Sequence, residues 1–392
     1  LGRLACGLLQ PLRFLRRRRR RVERVLVIKF WGIGSLSLLT PAVGSLRRRH
    51  PGARIELLTL APNVEFARGL ELFDAIRELD VAGASWPRLF GRIVRLILGL
   101  RHLRFDAVYD FEFFTRFSAI ISLLTGAPQT AGFFAPSVWR GGFHTERVPF
   151  NRYWHVARNF RSLAGGESGE AVAPEDLVPF RVRPEHDAEV DALLAADDPR
   201  PLVVLNPNAG HLSLERRWPR ERFAALAACL HRGDDARVVL IGAPSEREWT
   251  GAVAALAPAV PDDALLDLSG RLSIGGLHAL LARAGVFVGN DSGPMHLAAA
   301  LGVPTIGLFG PETPQMYAPI GVRTLALYEP PPCSPCINVH NNKVSSCVLG
   351  APQCLINLEV GRVHAAVRSL LHGEPLRLVE RPEPAAAEEL QA

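Results

Sequence analysis

Residues 285–311 read GVFVGNDSGPMHLAAALGVPTIGLFGP, and this stretch predicts a strand, a tight turn, a helix and a second strand. Val286–Val288 and Thr305–Phe309 are short apolar runs with β-branched residues, as in buried strands. Between them, Met295–Leu301 is rich in Ala and Leu, begins just after a proline and ends before a glycine, which is typical of a helix. The stretch is therefore one repeat of a parallel α/β sheet.

The polar turn of this stretch, residues 290–294, follows the first strand at its carboxyl end. Ligands of open α/β sheets bind there, and the start of a helix offers unpaired N–H groups and partial positive charge to an anion such as a diphosphate. Asp291 can accept hydrogen bonds from hydroxyl groups, and His296 lies in the first helical turn. Taken singly, Asp291 or Ser292 could simply cap the helix and His296 could simply pack against it. The end of a second strand at residues 309–311, next to this turn, favours a binding site.

The composition indicates a folded protein of two domains. The chain has 392 residues, of which 48% are hydrophobic, enough for two ordinary cores. Its net charge is +6, but residues 1–24 alone carry nine Arg and one Glu, so the remainder is close to neutral. The body of the chain therefore shows no basic footprint for nucleic acid, and we expect no nucleic-acid partner.

Two stretches suggest contact with a membrane surface. Near the start, a short apolar segment precedes six consecutive arginines, residues 16–21; this order is wrong for a secretory signal but suits an anionic inner leaflet. Residues 86–105 predict a basic amphipathic helix. A disordered basic tail and a solvated surface helix are the respective alternatives. No run of eighteen apolar residues occurs, so we expect no transmembrane helix.

The N-terminal half begins with a βαβ unit. Residues 25–30 predict a strand, residues 31–35 a glycine-containing turn, residues 36–49 a helix and residues 52–60 a second strand. The third glycine of a dinucleotide fingerprint is missing and no acidic residue ends the second strand. We therefore expect no nicotinamide cofactor.

A second set of polar groups follows the predicted strand Ala107–Phe111. Asp110 and Glu112 lie at its carboxyl end and are expected to face the cleft. Residues 126–153 alternate Gly, Pro and aromatic residues, which suggests loops around an acceptor site. A hinge is expected at residues 184–201.

The C-terminal half continues the alternation of strands and helices, which implies parallel sheets in both halves. The predicted boundaries are a flexible or membrane-surface basic segment over residues 1–23, an N-terminal domain over 24–185, a C-terminal domain over 200–355, a terminal helix over 356–373 and a disordered tail over 374–392.

Six cysteines are present, and four of them cluster late in the chain, which argues against a disulfide-laced secreted protein and for a cytosolic one. The cluster comprises Cys333, Cys336, Cys347 and Cys354. A C-x2-C pair with two further cysteines can form a tetrahedral zinc site, but the long spacing favours reduced thiols that pack a loop. We therefore expect no metal.

Three segments together resemble glycosyltransferase family 9, the heptosyltransferases of lipopolysaccharide core assembly. They read VLVIKFWGIGSLSLLTPAVGSLRRRHPGARI near the start, RRWPRERFAALA in the middle and NDSGPMHLAAALGVPTIGLFGP late, and the resemblance covers residues 24–372. It implies a GT-B fold, in which two Rossmann-like domains face a central cleft. It also implies an inverting, metal-independent transfer of a sugar, by default heptose from ADP-heptose, from a nucleotide-sugar in the C-terminal domain to a glycolipid acceptor in the N-terminal domain.

The resemblance assigns the donor's diphosphate and sugar to the late turn. The residues that match the family motif there are Asp291, Ser292, Gly293 and His296. Arg216 occupies the place of a family Lys or Arg two residues before Trp-Pro, where a cation can neutralise the leaving diphosphate.

Four further positions are assigned to substrate binding, two of them by the same resemblance. Glu246 matches the acid that holds the ribose, and Leu272 the apolar residue near the base. Gly34 and Gly242 each lie in a turn after a strand.

The chain departs from the family at its expected catalytic base. Relatives commonly have Gly-Asp in the first turn, and here Ser35 stands in place of the aspartate. A serine hydroxyl at neutral pH cannot accept the proton unaided. Asp110 or Glu112 could supply the base, weak base assistance could suffice, or the protein could bind without catalysing.

The sequence therefore predicts a cytoplasmic glycosyltransferase, peripheral on the inner face of the cytoplasmic membrane, with an ADP-sugar donor, a glycolipid acceptor and an anionic membrane surface as partners. Two rivals remain: a non-catalytic binder of sugar nucleotides or glycans, and an interaction protein that uses its arginine block.

Overall fold

The computed structural model describes residues 2–14, 21–166, 171–194, 198–210, 213–337 and 346–373. Within these ranges the chain forms two six-stranded sheets in which all neighbouring strands are parallel. The central strands are buried on both faces, as the continuous apolar runs predict, while the edge strands are partly exposed. The expectation of an α/β protein with two parallel sheets is confirmed.

The strands of the two sheets follow one another along the chain. The N-terminal sheet contains β1 (Arg24–Ile28), β2 (Arg54–Leu60), β3 (Ala75–Leu79), β4 (Ala107–Asp110), β5 (Gln129–Phe134) and β6 (Glu146–Pro149). The C-terminal sheet contains β7 (Leu202–Asn206), β8 (Arg237–Leu240), β9 (Leu265–Asp267), β10 (Val286–Asn290), β11 (Thr305–Phe309) and β12 (Thr324–Tyr328).

The described helices connect or cover these strands. They are α1 (Gly2–Leu8), α2 (Ile33–Arg49), α3 (Val64–Gly69), α4 (Trp86–Leu103), α5 (Arg116–Leu124), α6 (Val156–Leu163), α7 (Pro184–Asp191), α8 (Arg220–Asp234), α9 (Arg247–Ala255), α10 (Ile274–Ala282), α11 (Gly293–Ala300), α12 (Pro314–Tyr317), α13 (Gln353–Ile356) and α14 (Val360–His372). None of them combines the length and the hydrophobicity required to span a membrane.

Both sheets have the same strand order. The order β3-β2-β1-β4-β5-β6 in the first sheet corresponds to β9-β8-β7-β10-β11-β12 in the second. In each sheet the direction of winding reverses between the first and fourth strands, and ligands bind at such a switch point. The topology therefore predicts two half-sites, one after β1 and β4 and one after β7 and β10.

Two expectations drawn from the sequence need correction here. Residues 126–153 are not simply loops, because β5 and β6 lie there and pair with β4 and with each other. The short, glycine-containing run of β5 carries little strand signal by itself, and its pairing decides its structure. Residues 2–14 are not a free segment either: α1 packs on α5, and Cys6 is buried between Ala119, Leu123 and Phe143. Residues 15–20 and 374–392 lie outside the described part.

The expected hinge region contains a helix that belongs to the C-terminal domain. Helix α7 packs against α10, where the Ser273 N–H donates to Glu189 Oε1 over 2.6 Å. Arg283, which follows α10, forms ion pairs with Asp187 and Asp191. The chain therefore leaves the N-terminal domain before α7. Helix α14, expected as a separate element, packs against α8 and β10 of the C-terminal domain.

Buried aromatic and histidine side chains join the two domains. The His278 ring of α10 stacks on Phe180 with ring centroids 4.2 Å apart, and on Phe66 of α3 with centroids 5.6 Å apart. Burial lowers the pKa of His278 to about 4. Near β6, His155 Nε2 donates to the Ala318 carbonyl of the other domain over 3.0 Å, and burial lowers its pKa to about 4 as well.

We expect the stability of the protein to fall in acid because of these histidines. They stay neutral in the folded chain, whereas an unfolded histidine binds a proton below about pH 6.5. The unfolded state therefore gains protons first, and stability is lost as the pH falls from about 6.5 towards 4, by about 1.4 kcal/mol per pH unit for each group. Thermal unfolding of His278→Phe, which keeps a stacked ring, should show a weaker dependence on pH.

The control is His102→Gln, an exposed histidine of α4, which should leave the pH dependence as it is in the unaltered protein. An unchanged pH dependence in His278→Phe would contradict the assignment.

Candidate active site

A cleft of about 670 Å³ lies between the domains, at the carboxyl ends of both sheets. Its walls are the segments that follow β1, β4, β7 and β10, together with parts of the C-terminal domain near α9, α10 and α12. These four strand ends are the two switch points of the topology. The repeated strand order therefore positions the site.

Arg216 and Asp291 form the charged centre of the C-terminal wall. Arg216 Nη1 lies 3.1 Å from Asp291 Oδ2 and donates to the Asp291 carbonyl over 2.8 Å, while Nη2 donates to the Ala209 carbonyl over 2.6 Å. Both side chains are nearly buried and both line the cleft. The guanidinium is thus held in one orientation before any ligand arrives.

The start of α11 faces the same part of the cleft. Asn206 Nδ2 donates to Ser292 Oγ over 2.9 Å, which ties the turn to the end of β7. Ser292, Gly293 and His296 all line the cleft. A helix N-terminus with a fixed arginine beside it is a site for an anion with two or more phosphate oxygens.

The remaining assigned residues of the C-terminal domain form the other end of this wall. Gly242, Glu246 and Leu272 line the cleft. Glu246 Oε2 accepts a hydrogen bond from the Ala243 N–H over 2.8 Å. A Cβ atom on Gly242 would lie 2.7 Å from Asn208 Nδ2, so a side chain there would displace Asn208.

The N-terminal wall contains a second buried ion pair, Lys29 with Glu112. Lys29 Nζ lies 3.0 Å from Glu112 Oε1, and the same oxygen accepts hydrogen bonds from the N–H groups of Phe30 (2.7 Å) and Trp31 (3.3 Å). Both side chains line the cleft. All three bonds are made by Oε1, which therefore anchors the side chain. Glu112 Oε2 takes part in none of them.

Asp110, the second candidate base, does not line the cleft. It is fully buried and paired with Arg140 and His144, and Ser118 Oγ donates to Asp110 Oδ2 over 2.9 Å. Burial alone would raise the pKa of Asp110, but the charge of Arg140 and the hydrogen bonds outweigh it and hold that pKa below its ordinary value. The structure therefore does not support the expectation that Asp110 reaches an acceptor.

Asp110 instead supports Glu112. The Glu112 N–H donates to Asp110 Oδ1 over 3.1 Å, so the buried network around Asp110 fixes the backbone from which the Glu112 side chain extends.

Gly34 and Ser35 lie where α2 approaches the other domain. The preceding Gly32 has φ +79°, which permits the sharp turn from β1 into α2. A Cβ atom on Gly34 would lie 2.8 Å from Gly293 Cα and 3.0 Å from His296 Cδ2. The two domains therefore touch through two glycines, and both Gly34 and Ser35 line the cleft beside this contact.

Sequence reasoning missed several residues that line the cleft: Lys29, Asn206, Asn208 and Tyr317. The position of Lys29 was a usable signal, because a lysine at the carboxyl end of the apolar run VLVI is hard to bury without a partner. The sequence around Tyr317 gave no such signal, because only the packing of α12 brings this side chain to the cleft.

The four late cysteines gather around a separate small cavity of about 30 Å³. All are free thiols, and burial, followed by the charge of Cys336, raises the pKa of Cys354 to about 11. Among the described residues, no group of three or more His, Cys, Asp or Glu side chains is arranged to hold a metal ion.

A family model described as glycosyltransferase family 9 (heptosyltransferase) matches residues 93–345. Lipopolysaccharide heptosyltransferase 1 of Pseudomonas aeruginosa is 26% identical over 367 residues, which cover 89% of this chain and 98% of the relative. Lipopolysaccharide heptosyltransferase 2 of Salmonella typhimurium is 25% identical over 373 residues, 90% of this chain and 99% of the relative.

Solved structures share the fold. The Escherichia coli ADP-heptose lipopolysaccharide heptosyltransferase II superposes with a TM-score of 0.70 at 22% identity, over 89% of this chain and 99% of that one. Escherichia coli heptosyltransferase WaaC with ADP gives a TM-score of 0.60 at 20% identity, over 88% and 99%. The two-domain arrangement around a cleft is therefore the GT-B fold.

We expect Gly34→Ala to prevent the domains from closing. The added methyl group meets backbone atoms of Gly293, which cannot move aside as a flexible side chain can, and such overpacking costs about 1–3 kcal/mol. Small-angle scattering should show a larger radius of gyration, and the melting temperature should fall.

Gly44→Ala in the same helix is the matched control. Its Cβ atom would lie 3.7 Å from Arg48 Nη1, an ordinary contact, so this variant should be neutral or stabilised by up to about 1 kcal/mol. Equal dimensions and stability of the two variants would contradict the role of the Gly34–Gly293 contact.

Proposed function

Because the chain belongs to glycosyltransferase family 9 and is a glycosyltransferase, we propose that it transfers a heptose from ADP-heptose to a lipopolysaccharide-type glycolipid. The observation that carries this proposal is the pairing, across one cleft, of an anion site on the C-terminal domain with a single carboxylate on the N-terminal domain. Its curated relatives are lipopolysaccharide heptosyltransferases, and WaaC has been solved with ADP and with ADP-2-deoxy-2-fluoro heptose.

The donor binds to the C-terminal wall in this proposal. The diphosphate lies between the N-terminus of α11 and the guanidinium of Arg216. Asp291 and Glu246 accept hydrogen bonds from sugar and ribose hydroxyls, and Leu272 packs near the base. Ser292, Gly293 and His296 complete the pocket around the reacting carbon.

The protein itself supplies the positive charge that stabilises ADP as it leaves. As the bond between the anomeric carbon and the phosphate oxygen breaks, negative charge grows on the diphosphate. Arg216 is already oriented by Asp291 and Ala209, so it stabilises this charge without reorganisation. The reaction therefore needs no metal ion in this proposal.

Glu112 is the general base of the proposed reaction. Among the described residues that line the cleft, it is the one carboxylate that the N-terminal domain contributes. Its Oε2 takes the proton of the acceptor hydroxyl as the acceptor oxygen attacks the anomeric carbon from the face opposite ADP. This single displacement inverts the configuration, and Lys29 offsets the charge of Glu112 before the proton arrives.

Ser35 then has a contact role and not a proton-accepting one. It lies beside Gly34 at the interdomain contact, within the N-terminal wall. A hydroxyl there can donate a hydrogen bond to the acceptor sugar, which helps to orient it.

A glycolipid acceptor sets where the enzyme works. Its sugar must enter the cleft while its lipid stays in a bilayer, and nucleotide-sugars are cytoplasmic donors. The proposal therefore places the enzyme at the cytoplasmic face of the inner membrane.

We expect ADP to bind more tightly than UDP, GDP or NAD, and Arg216→Gln to weaken ADP binding. Loss of a charge-assisted hydrogen bond corresponds to about 1.5–3 kcal/mol, or roughly 10–100-fold in Kd. Calorimetric titration measures both effects. Arg220→Gln, an arginine four residues away that does not line the cleft, should bind ADP as the unaltered protein does. A preference for UDP or GDP would change the proposed donor.

We expect Glu112→Gln to lower kcat by about 10²–10⁴-fold with little change in the affinity for ADP, because the amide cannot accept a proton. Ser35→Ala should keep most of the activity. Asp110→Asn should lower kcat as well, and both it and Glu112→Gln should lower the melting temperature, since each breaks a buried ion pair. Radiolabelled sugar transfer to a delipidated acceptor measures the rates.

Similar kcat values for Glu112→Gln and the unaltered enzyme would rule out Glu112 as the base. ADP binding without transfer to any acceptor would instead identify a non-catalytic sugar-nucleotide-binding protein.

A further inference from the structure

Helix α4 is far more apolar than its burial explains. It reads WPRLFGRIVRLILGLRHL over residues 86–103, yet Leu100 is its one fully buried side chain. Trp86, Phe90 and Leu98 are 86%, 69% and 62% exposed, and Val94 is exposed between them. Positions four apart lie along one side of a helix, so these four side chains form a continuous apolar stripe.

Arginines lie beside this stripe, and α4 itself contains no acidic residue to balance them. Arg88, Arg95 and Arg101 are exposed, and the whole of α4 contains neither Asp nor Glu. Arg92 differs, because it forms an ion pair with Asp80 over 2.8 Å. The stripe is thus apolar, with cationic side chains along one edge and beyond its C-terminal end.

Two neighbouring helices extend the same character. Helices α4 and α5 pack on one face of the N-terminal sheet through the cluster of Leu26, Ile28 and Val108, and α1 packs on α5. The exposed side chains of α1 include Leu4 and Leu8. None of the three helices contains an acidic residue. We call the outer surface of α1, α4 and α5 the arginine-rich face.

The arginine-rich face reaches the edge of the domain that carries the cleft. Helix α4 follows β3 and α5 follows β4, so both helices begin near the carboxyl ends of the strands. Trp86 and Phe90 lie at the start of α4. At the start of α5, Phe117 is partly exposed, two residues after Thr115, which lines the cleft.

We propose that the arginine-rich face docks on an anionic phospholipid bilayer, with Trp86, Phe90, Val94 and Leu98 inserted at the level of the headgroups. The exposed Arg88, Arg95 and Arg101 pair with lipid phosphates. A contiguous apolar stripe of this size on an otherwise ordinary surface marks an interaction site, and a helix with basic edges, an aromatic residue and no acid fits an anionic bilayer interface. Docking at this edge presents the cleft to a membrane-embedded acceptor. The inference rests on the proposed function only for that last point.

The test measures co-sedimentation of the full chain with vesicles of equal parts phosphatidylcholine and phosphatidylglycerol, and with vesicles of phosphatidylcholine alone. Two double variants remove one component each: Trp86→Ser with Phe90→Ser, and Arg88→Gln with Arg95→Gln. The control is Val322→Ser, an 80% exposed apolar side chain of the C-terminal domain. All of these positions are exposed, so the variants should fold, and ADP titration checks that they do.

We expect the unaltered chain and Val322→Ser to bind the anionic vesicles alike and the neutral vesicles weakly. Each double variant should bind the anionic vesicles at least about tenfold more weakly, since a basic residue at the surface and a buried aromatic ring each contribute about fivefold or more. The affinity for ADP and the transfer to a delipidated acceptor should be unchanged in all variants. Failure of transfer with intact vesicle binding would overturn the enzymatic proposal and leave this one standing.

Three results would overturn the docking proposal. The first is equal vesicle binding by the double variants and the control. The second is loss of binding only when residues 16–21 are changed to glutamine, which would assign the interaction to the N-terminal arginine run. The third is self-association in sedimentation velocity that depends on Trp86 and Phe90, which would make the face a contact between two copies of the chain.

Discussion

The contact between Gly34 and Gly293 is the constraint on which the arrangement of the site depends. Each glycine opens a helix that follows a buried strand, and a single methyl group on Gly34 would collide with the backbone of the other domain. Because the backbones can approach this closely, the segments after β1 and β10 face each other directly. The cleft forms beside this contact, and both domains contribute residues to its lining.

Two buried ion pairs place a cation for an anionic ligand on one wall of this cleft and a carboxylate on the other. On the C-terminal wall, Arg216 is held by Asp291 and presents positive charge to an anion. On the N-terminal wall, Glu112 is held by Lys29 and by two backbone N–H groups. Burying such pairs is unfavourable unless their hydrogen bonds are satisfied, and each pair here has additional backbone partners. The free-energy cost of burying these two pairs is consistent with sugar transfer, which requires one charged group for the leaving diphosphate and another for the acceptor hydroxyl.

The N-terminal domain divides its two faces between different tasks. One face of its sheet packs α2 and α6, and α2 contacts the C-terminal domain. The opposite face carries α4 and α5, whose outer side chains are apolar and basic. Under the proposed function, this domain binds a sugar attached to lipid and has to meet both its partner domain and a bilayer. The separation of the two faces would allow both of these proposed contacts at once.

The sequence alone was sufficient for the fold class and for most of the donor-side positions. Strand–turn–helix segments are local patterns, and in a parallel sheet every turn after a strand lies at the same edge. Local pattern is therefore enough to place Asp291, Ser292 and Gly293 near a cleft, whereas Glu246 was assigned through the resemblance to the family. The assignment of roles to these residues remains a proposal. Strands β5 and β6 were missed, because their pairing with distant segments outweighs weak local propensity.

Only the tertiary structure separated Asp110 from Glu112. The two lie two residues apart after the same strand, and nothing local distinguishes them. Arg140 and His144 arrive from the segment after β5, bury Asp110 in an ion pair and leave Glu112 at the cleft. In the same way, periodicity showed that α4 is amphipathic but not whether its apolar residues are covered. Burial and charge pairing depend on segments far apart in the chain, and this is why the sequence by itself determined the framework while the packing decided the chemistry of the site.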